Sequence, residues 1–442
     1  MIPNCIDHLT EKISCAVPSH TGAHLSRVEI MLKTSPKRAL LTSNIKLTDS
    51  DGKSLRLLGF ARLLHDAGCR VTLVVSECSS TAAKRYSLIE TKAPLRDILL
   101  YGPLKRLLHF FRQSIRLLSF YAKLLILGAN YDIVVTSLVG PDTDSLLVCI
   151  LSKIWRVPFV YDYDDPSPEL RIAFFGCSAN DPRVRLSLFT RNILVKHATL
   201  VTTAADTVRH QIIEDSRKAK RVYVWYNLPR MDHIRVSEDK EFLRQKLGLE
   251  PNSFIVSYLG RVPSWGIEPL KKILVDFAEN FRHDENVLFL IIGGGRWEEY
   301  YHKIIKNLRL TDRILITGMN PRQNALEYLM ASNVSCIPFG SSLASSHIVP
   351  TKLFESMALG IPVLCVQSTN YVRILGDDGI YFDGSRSDLS KKIRWCLVNQ
   401  KKLDKISSDL KLRFLREYTW EKRSLVLENV FRSLLQAPAK AA

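Results

Sequence analysis

Between residues 349 and 366 the chain reads VPTKLFESMALGIPVLCV, with a lysine and a glutamate three positions apart just behind a proline. Pro350 ends a Ser-rich loop, the spacing predicts a helix that Lys352 opens and Gly360 stops, and 361–366 reads as a strand. A helix N-terminus presents unpaired backbone N–H groups and the positive end of the helix dipole, which together with a lysine suit a diphosphate. Glu355 falls one turn into that helix, where a carboxylate can accept hydrogen bonds from two ribose hydroxyls. The same spacing fits an ordinary helix and strand with both charges solvated, so the pattern alone leaves both readings open.

Other residues invite chemistry less strongly. Gly293, Gly294 and Gly295 would permit close approach of a phosphate, but Arg296 and Trp297 follow where a dinucleotide fingerprint needs further glycines. Asp49, Asp51, Asp162, Asp164 and Asp165 stand at predicted strand ends. Such carboxylates serve as metal ligands or as caps, and spacing does not choose between these.

These residues need elements to position them. From about residue 38 the sequence alternates β-branched apolar runs with helical patterns, the mark of a parallel sheet wrapped by helices. Strands are predicted at RALLTSNI, CRVTLVVS, YDIVVTS, PFVYDY, ATLVTTA and RVYVWYN. Between the first two, Leu57, Ala61 and Leu64 share one helical face and Gly68 stops the helix. After the polar stretch LPRMDHIRVSEDK the alternation resumes with FIVSYLG, NVLFLIIGGG, RILITG, NVSCIPF and IPVLCV. The predicted organisation is an N-terminal extension over 1–37, a doubly wound domain over 38–227, a linker over 228–240, and a second such domain over 241–415. An amphipathic helix and tail follow over 416–442, placed to pack back on the first domain. Ligands of such sheets sit at the carboxyl ends of the strands.

Composition narrows the partners. A chain of 442 residues with 46% hydrophobic content exceeds what one core organises. A formal charge of +18 points to an anionic partner, and no zinc, helix-turn-helix or RNA-binding signature accompanies it, so nucleic acid is not expected. Nine cysteines without metal spacing read as reduced thiols, and the opening MIPNCIDHLTEKISCAVPSH does not read as a secretory signal. The longest apolar candidate for a membrane span is broken by Lys123 and Asp132. A cytoplasmic location is therefore expected. Leu104, Leu108, Phe111, Ile115, Leu118, Ala122 and Leu125 form a helical stripe flanked by Lys105, Arg106, Arg112, Arg116 and Lys123. Residues 84–127 hold nine Lys/Arg against Glu90 and Asp97, so the segment reads either as an interfacial helix on an anionic membrane surface or as a core helix with a solvated basic face.

The 349–366 segment resembles the C-terminal signature of family 4 glycosyltransferases and their retaining relatives, P-x-K-x-x-E-x-M-A-x-G-x-P-V. The likeness is carried by Pro350, Lys352, Glu355, Met357, Ala358, Gly360, Pro362 and Val363. SYLGRVPSWGIEPL is similar to the family's Gly-Arg loop, LFLIIGGGRWEEY and RILITGMNPR to its strand-glycine turns, and VPFVYDYDDPSPE to the acidic strand end of its first domain.

The resemblance implies an α/β chain of the GT-B fold, two doubly wound Rossmann-like domains facing a cleft, and a sugar transfer from a nucleoside diphosphate donor to a glycan or lipid-linked acceptor. Retention of configuration, no cofactor and no metal go with it. By the same likeness Arg261 and Lys352 would hold the donor diphosphate and Glu355 the ribose, while Gly318 and Met319 would border the base. His347 stands eight residues before Glu355, where many members carry a second glutamate, and would reach the donor sugar. Trp265 replaces the second basic residue of the Gly-Arg loop. In the first domain only Gly52 stands where the family often has a glycine pair, as the turn an acceptor approaches, and Asp164 and Asp165 are candidates for the catalytic base. Two rival readings remain open: a non-catalytic GT-B subunit that binds a partner glycosyltransferase or a glycolipid, motivated by His347 and Trp265, and a sugar nucleotide epimerase.

Overall fold

The computed structural model describes residues 36–48, 52–90, 131–137, 143–216, 221–231, 235, 237, 239–262, 267–339 and 347–436. Asp49, Asp51, Trp265, Gly266 and the stripe from Leu104 to Leu125 lie outside the described residues.

The β-branched runs become two parallel sheets. The first contains β1 (Lys37–Thr42), β3 (Cys69–Val75), β5 (Ser87–Glu90), β6 (Ile133–Ser137), β7 (Phe159–Tyr163), β8 (Leu200–Thr203) and β9 (Val222–Val224), in the order β5-β3-β1-β6-β7-β8-β9. A short ribbon joins β2 (Lys46–Leu47) to β4 (Glu77–Cys78). The second sheet orders β12 (Ile314–Ile316), β11 (Val287–Ile292), β10 (Phe254–Leu259), β13 (Val334–Ile337), β14 (Val363–Val366) and β15 (Ile380–Phe382). In both, the strand order reverses beside the first strand of the half, β1 or β10, and such reversals open a crevice at the carboxyl ends.

Buried strands explain the continuous apolar runs: β11 is buried at all six positions, as expected where helices cover both faces. Three details differ from the sequence reading. β5 and β15 are edge strands of four and three residues, too short to show a period. β9 stops at Val224, because after Trp225 bonds to the Thr203 carbonyl the chain turns to bury Trp225 and Tyr226 in different packings. β14 begins at Val363, since Pro362 has no N–H to give and contributes only its carbonyl, to Ser335.

The helix Trp420–Gln436 packs against the first half of the chain. Trp420 meets Trp225 with ring centroids 5.0 Å apart, and Phe431 meets Phe60 at 6.3 Å. Gly59 makes room, since a Cβ there would lie 2.7 Å from the Trp420 ring. The preceding turn is equally aromatic: Tyr418 and Tyr226 both pack on Phe354, at 5.3 and 5.4 Å. Phe354 belongs to the helix Thr351–Leu359, so the ring cluster ties the first sheet to that helix.

Replacing Trp420 with Ala opens a large cavity between Gly59 and Trp225, and the expected loss is about 3–5 kcal/mol. Urea unfolding should show a lower midpoint for Trp420→Ala, with little change for an exposed control such as Val426→Ala.

Candidate functional site

Three turns at the carboxyl end of the second sheet interlock through glycines. Gly260, after β10, has φ +150° and lies where a side chain would collide with the Lys352 ammonium. Gly293, after β11, has φ +134°, and a Cβ there would strike the Gly260 carbonyl. Only glycine satisfies both the backbone angle and the space. Val262 N–H donates to the Gly294 carbonyl at 3.0 Å, and a Cβ on Gly294 would lie 2.9 Å from the amide nitrogen of Met319. Arg261, Gly318 and Met319 are thus held on one rim. Arg261 is exposed while its carbonyl accepts from the Tyr258 hydroxyl at 3.2 Å, and Met319 is exposed beside Gly318.

The helix Thr351–Leu359 enters this rim by its N-terminus, with Pro350 before it and Gly360 in the left-handed conformation after it. Lys352 places its ammonium 4.2 Å from the centroid of the Tyr258 ring and 5.6 Å from that of Phe339. Removal from water pushes the Lys352 ammonium down to about 8, with the Glu355 carboxylate and the Cys336 thiol opposing the fall. A cation held on aromatic faces with little solvent gains from any anion that reaches it. Glu355 is almost fully buried, and its Oε1 pairs with Arg322 Nη1 at 2.8 Å. Sequence reasoning gave Arg322 no role. Its signal was its place in GMNPR, three residues beyond Met319.

The first half meets the same rim. A Cβ on Gly52, the first residue of the helix Gly52–Asp66, would lie 3.3 Å from Thr351 Oγ1, so two helix N-termini face each other across the halves. His347 Nδ1 is 2.9 Å from Thr207 Oγ1 on the helix Asp206–Asp215, and Asn370 Nδ2 donates to the same hydroxyl at 2.9 Å. Burial lowers the pKa of His347, and Glu169 acts against that fall. Arg373 reaches Asp206 at 3.3 Å.

Behind Gly52 lies a buried ionic network. Arg56 donates to both oxygens of Asp162, from Nε at 2.8 Å and from Nη2 at 2.6 Å, and to Asn227 Oδ1 at 3.0 Å and the Trp225 carbonyl. Ser137 and Thr202 hydroxyls complete the shell of Asp162, each at 2.7 Å. Asp162 is therefore satisfied as a structural anion. Asp164 follows two residues later, with Oδ1 3.6 Å from Arg56 Nε and 3.0 Å from Asn227 Nδ2, and Asp165 pairs with Lys53. Burial pushes the Asp164 carboxyl up to about 6 despite Arg56, with Asp165 and Asp162 adding to the rise. Arg56 was missed because an arginine in a helix that also carries Lys53, Arg62 and His65 looks like one more surface cation until β7 and the chain after β9 are brought beside it. Among the described residues no group of three or more His, Cys, Asp or Glu side chains is placed to hold a metal ion.

Residues 239–412 match the family model described as glycosyl transferases group 1. A stretch of 128 residues is 27% identical to alpha-monoglucosyldiacylglycerol synthase of Streptococcus pneumoniae, covering 29% of this chain and 27% of that protein. The match thus spans about a quarter of the curated relative's length. The whole fold is similar to the solved structure of Anabaena HepE in complex with UDP-glucose, with TM-score 0.67 at 17% identity over 89% of this chain and 99% of that one. It is also similar to sucrose-phosphate synthase from Thermosynechococcus elongatus, with TM-score 0.70 at 16% identity over 91% and 100%. The fold is of the GT-B type, with two Rossmann-like domains.

A raised carboxyl pKa favours the protonated form in the folded state. The contribution of Asp164 to stability is therefore full below the ordinary carboxyl range and lost as pH rises through about 6. Asp164→Asn should remove that decline. Urea unfolding at pH 4, 5, 6 and 7 should show the variant gaining on the unaltered protein with each step.

Proposed function

We propose that this protein transfers a sugar from a nucleoside diphosphate donor to a hydroxyl of a glycan or lipid-linked acceptor, with retention of configuration. The observation that carries this reading is the Lys352 ammonium, poorly hydrated, set at a helix N-terminus and bordered by the Gly260–Arg261 turn. Such a site stabilises the charge that grows on a departing diphosphate, because its donors are already in place when the bond breaks. Arg261 adds a second cation and Glu355 holds the ribose. Gly318 and Met319 border the base.

The family match over 239–412 supports the donor side, and the UDP-glucose named with HepE supports a nucleotide sugar as partner. On the acceptor side, Gly52 leaves the N-terminus of its helix open to a hydroxyl-bearing ligand. Asp164 and Asp165 are the candidate bases, and Asp164 is the better, because a carboxyl that titrates near 6 can exchange a proton at neutral pH. His347 serves the donor sugar from the second half while tied to Thr207 of the first.

A membrane-proximal acceptor is part of the same reading. The stripe from Leu104 to Leu125 supplies the apolar and cationic pattern in the sequence. The helices Thr143–Trp155 and Pro182–His197 carry Ile150, Ile154, Leu186 and Phe189 exposed, with Lys153, Arg185 and Lys196 also exposed. That combination suits an anionic bilayer. No helix among the described residues is long and apolar enough to cross a membrane.

Four outcomes test the proposal. Lys352→Ala and Arg261→Ala should each weaken nucleoside diphosphate affinity about tenfold or more, read by titration calorimetry with UDP, GDP and ADP. The diphosphate also returns Lys352 toward its ordinary pKa, so binding near pH 8 should take up protons and weaken as pH rises further. The measured enthalpy should then depend on the buffer, and should cease to do so in Lys352→Met. In the transfer itself, an α-linked donor should give an α-linked first product by NMR of the anomeric proton; a β-linked product refutes retention. For the membrane, changing Arg106, Arg112, Arg116 and Lys123 together to Gln should release the protein from anionic vesicles in flotation, with nucleotide affinity unchanged.

A further inference from the structure

Glu355 does not stand alone in the donor site. Its carboxylate is nearly excluded from water, and Arg322, from another helix, holds Oε1 at 2.8 Å. Arg322 is the first residue of the helix Arg322–Met330 and follows the turn that carries Gly318 and Met319. Its guanidinium is mostly withdrawn from solvent, and its Nη2 is buried with no hydrogen-bond partner among the described residues. The other cation near Glu355 is Lys352, one turn earlier on the same helix, whose ammonium rests over Tyr258 and Phe339.

Two physical consequences follow. A buried carboxylate that loses its cation partner takes up a proton or swings toward water, and in either case ceases to be a fixed acceptor. An arginine that spends only Nη1 on that carboxylate keeps further donors for a neighbouring oxygen. We propose that Arg322 is a positioning residue for nucleotide recognition: paired with Glu355, it holds the carboxylate in place and aimed at the ribose hydroxyls of a nucleoside diphosphate. The unit that tells ribose from deoxyribose is then the Arg322–Glu355 pair. This inference rests on the donor-site reading given above.

The test compares ribose with 2′-deoxyribose, because a merely structural arginine would weaken both alike. Full-length protein is titrated with UDP, GDP and ADP and with their 2′-deoxy counterparts, and the ratio of the two affinities is taken for the base that binds. The unaltered protein should favour the ribose form about tenfold or more. Glu355→Gln should bring the ratio close to one. Arg322→Gln should do the same, Arg322→Lys should retain part of the preference, and the double variant should lose no more than either single one. An unchanged ratio in Arg322→Gln, with both affinities reduced equally, overturns the inference and leaves the donor site standing. An unchanged ratio in Glu355→Gln overturns the ribose role of Glu355 and the inference with it. Absence of binding by the unaltered protein to every nucleotide overturns the donor-site reading itself. Should Arg322→Gln fail to fold, Arg322→Met decides, since it keeps an extended side chain and loses every donor: a ratio equal to that of the unaltered protein refutes the positioning role.

Discussion

The ring of Tyr226 packs against Phe354, and Phe354 lies between Lys352 and Glu355 on one helix. That contact fixes the distance between the two halves of the chain at the point where their chemistry meets. Burial holds the Tyr226 hydroxyl protonated, and it donates to Asp206, so the first half grips the ring at both its face and its edge. Tyr418 closes the cluster from the C-terminal crossing, and Arg423 lies over both tyrosines, 5.5 Å from one centroid and 4.9 Å from the other. Aromatic pairs of this kind add about 0.5–1.5 kcal/mol each beyond their buried area. Their larger effect here is geometric. With Phe354 pinned, the N-terminus of its helix can only face Gly52.

Around that fixed point the two halves contribute different electrostatics. The second half offers cations with little water, Lys352 on its aromatic bed and Arg322 against Glu355. The first half offers carboxylates on a buried arginine, arranged so that Asp162 takes the close two-point contact and Asp164 a longer one. Removing Arg56 would strand the buried Asp162 at a cost of about 3–5 kcal/mol, which is why the network belongs to the scaffold as much as to the site. Cations from one half and carboxylates from the other suit the proposed transfer, in which a diphosphate departs from one side while a hydroxyl loses its proton on the other.

Glycine sets the tolerance of this rim. Gly260 and Gly293 occupy each other's space in a manner no Cβ allows, and their backbones in turn hold Arg261 and, through Gly294, the Gly318–Met319 turn. Rigid turns of this kind place backbone amides without side-chain reorganisation, so binding energy is not spent on ordering the loop.

What the sequence determined by itself was whatever is local. Alternating apolar runs announced two parallel sheets, because buried strands need continuous β-branched residues. Pro350, Lys352, Glu355 and Gly360 lay within one turn-and-helix pattern whose start and stop are chemical properties of the residues themselves. The short edge strands β5 and β15 were not legible, since three or four residues show no period. Pairings across long separations were equally hidden. Arg56 finds Asp162 after 106 residues, His347 finds Thr207 after 140, and Arg322 meets Glu355 only when two helices of the second half converge. Each of these residue types is unremarkable along the chain. Only the tertiary structure decided which charges are buried, and burial is what makes them matter: a solvated arginine and glutamate attract weakly, whereas the same pair out of water fixes an orientation.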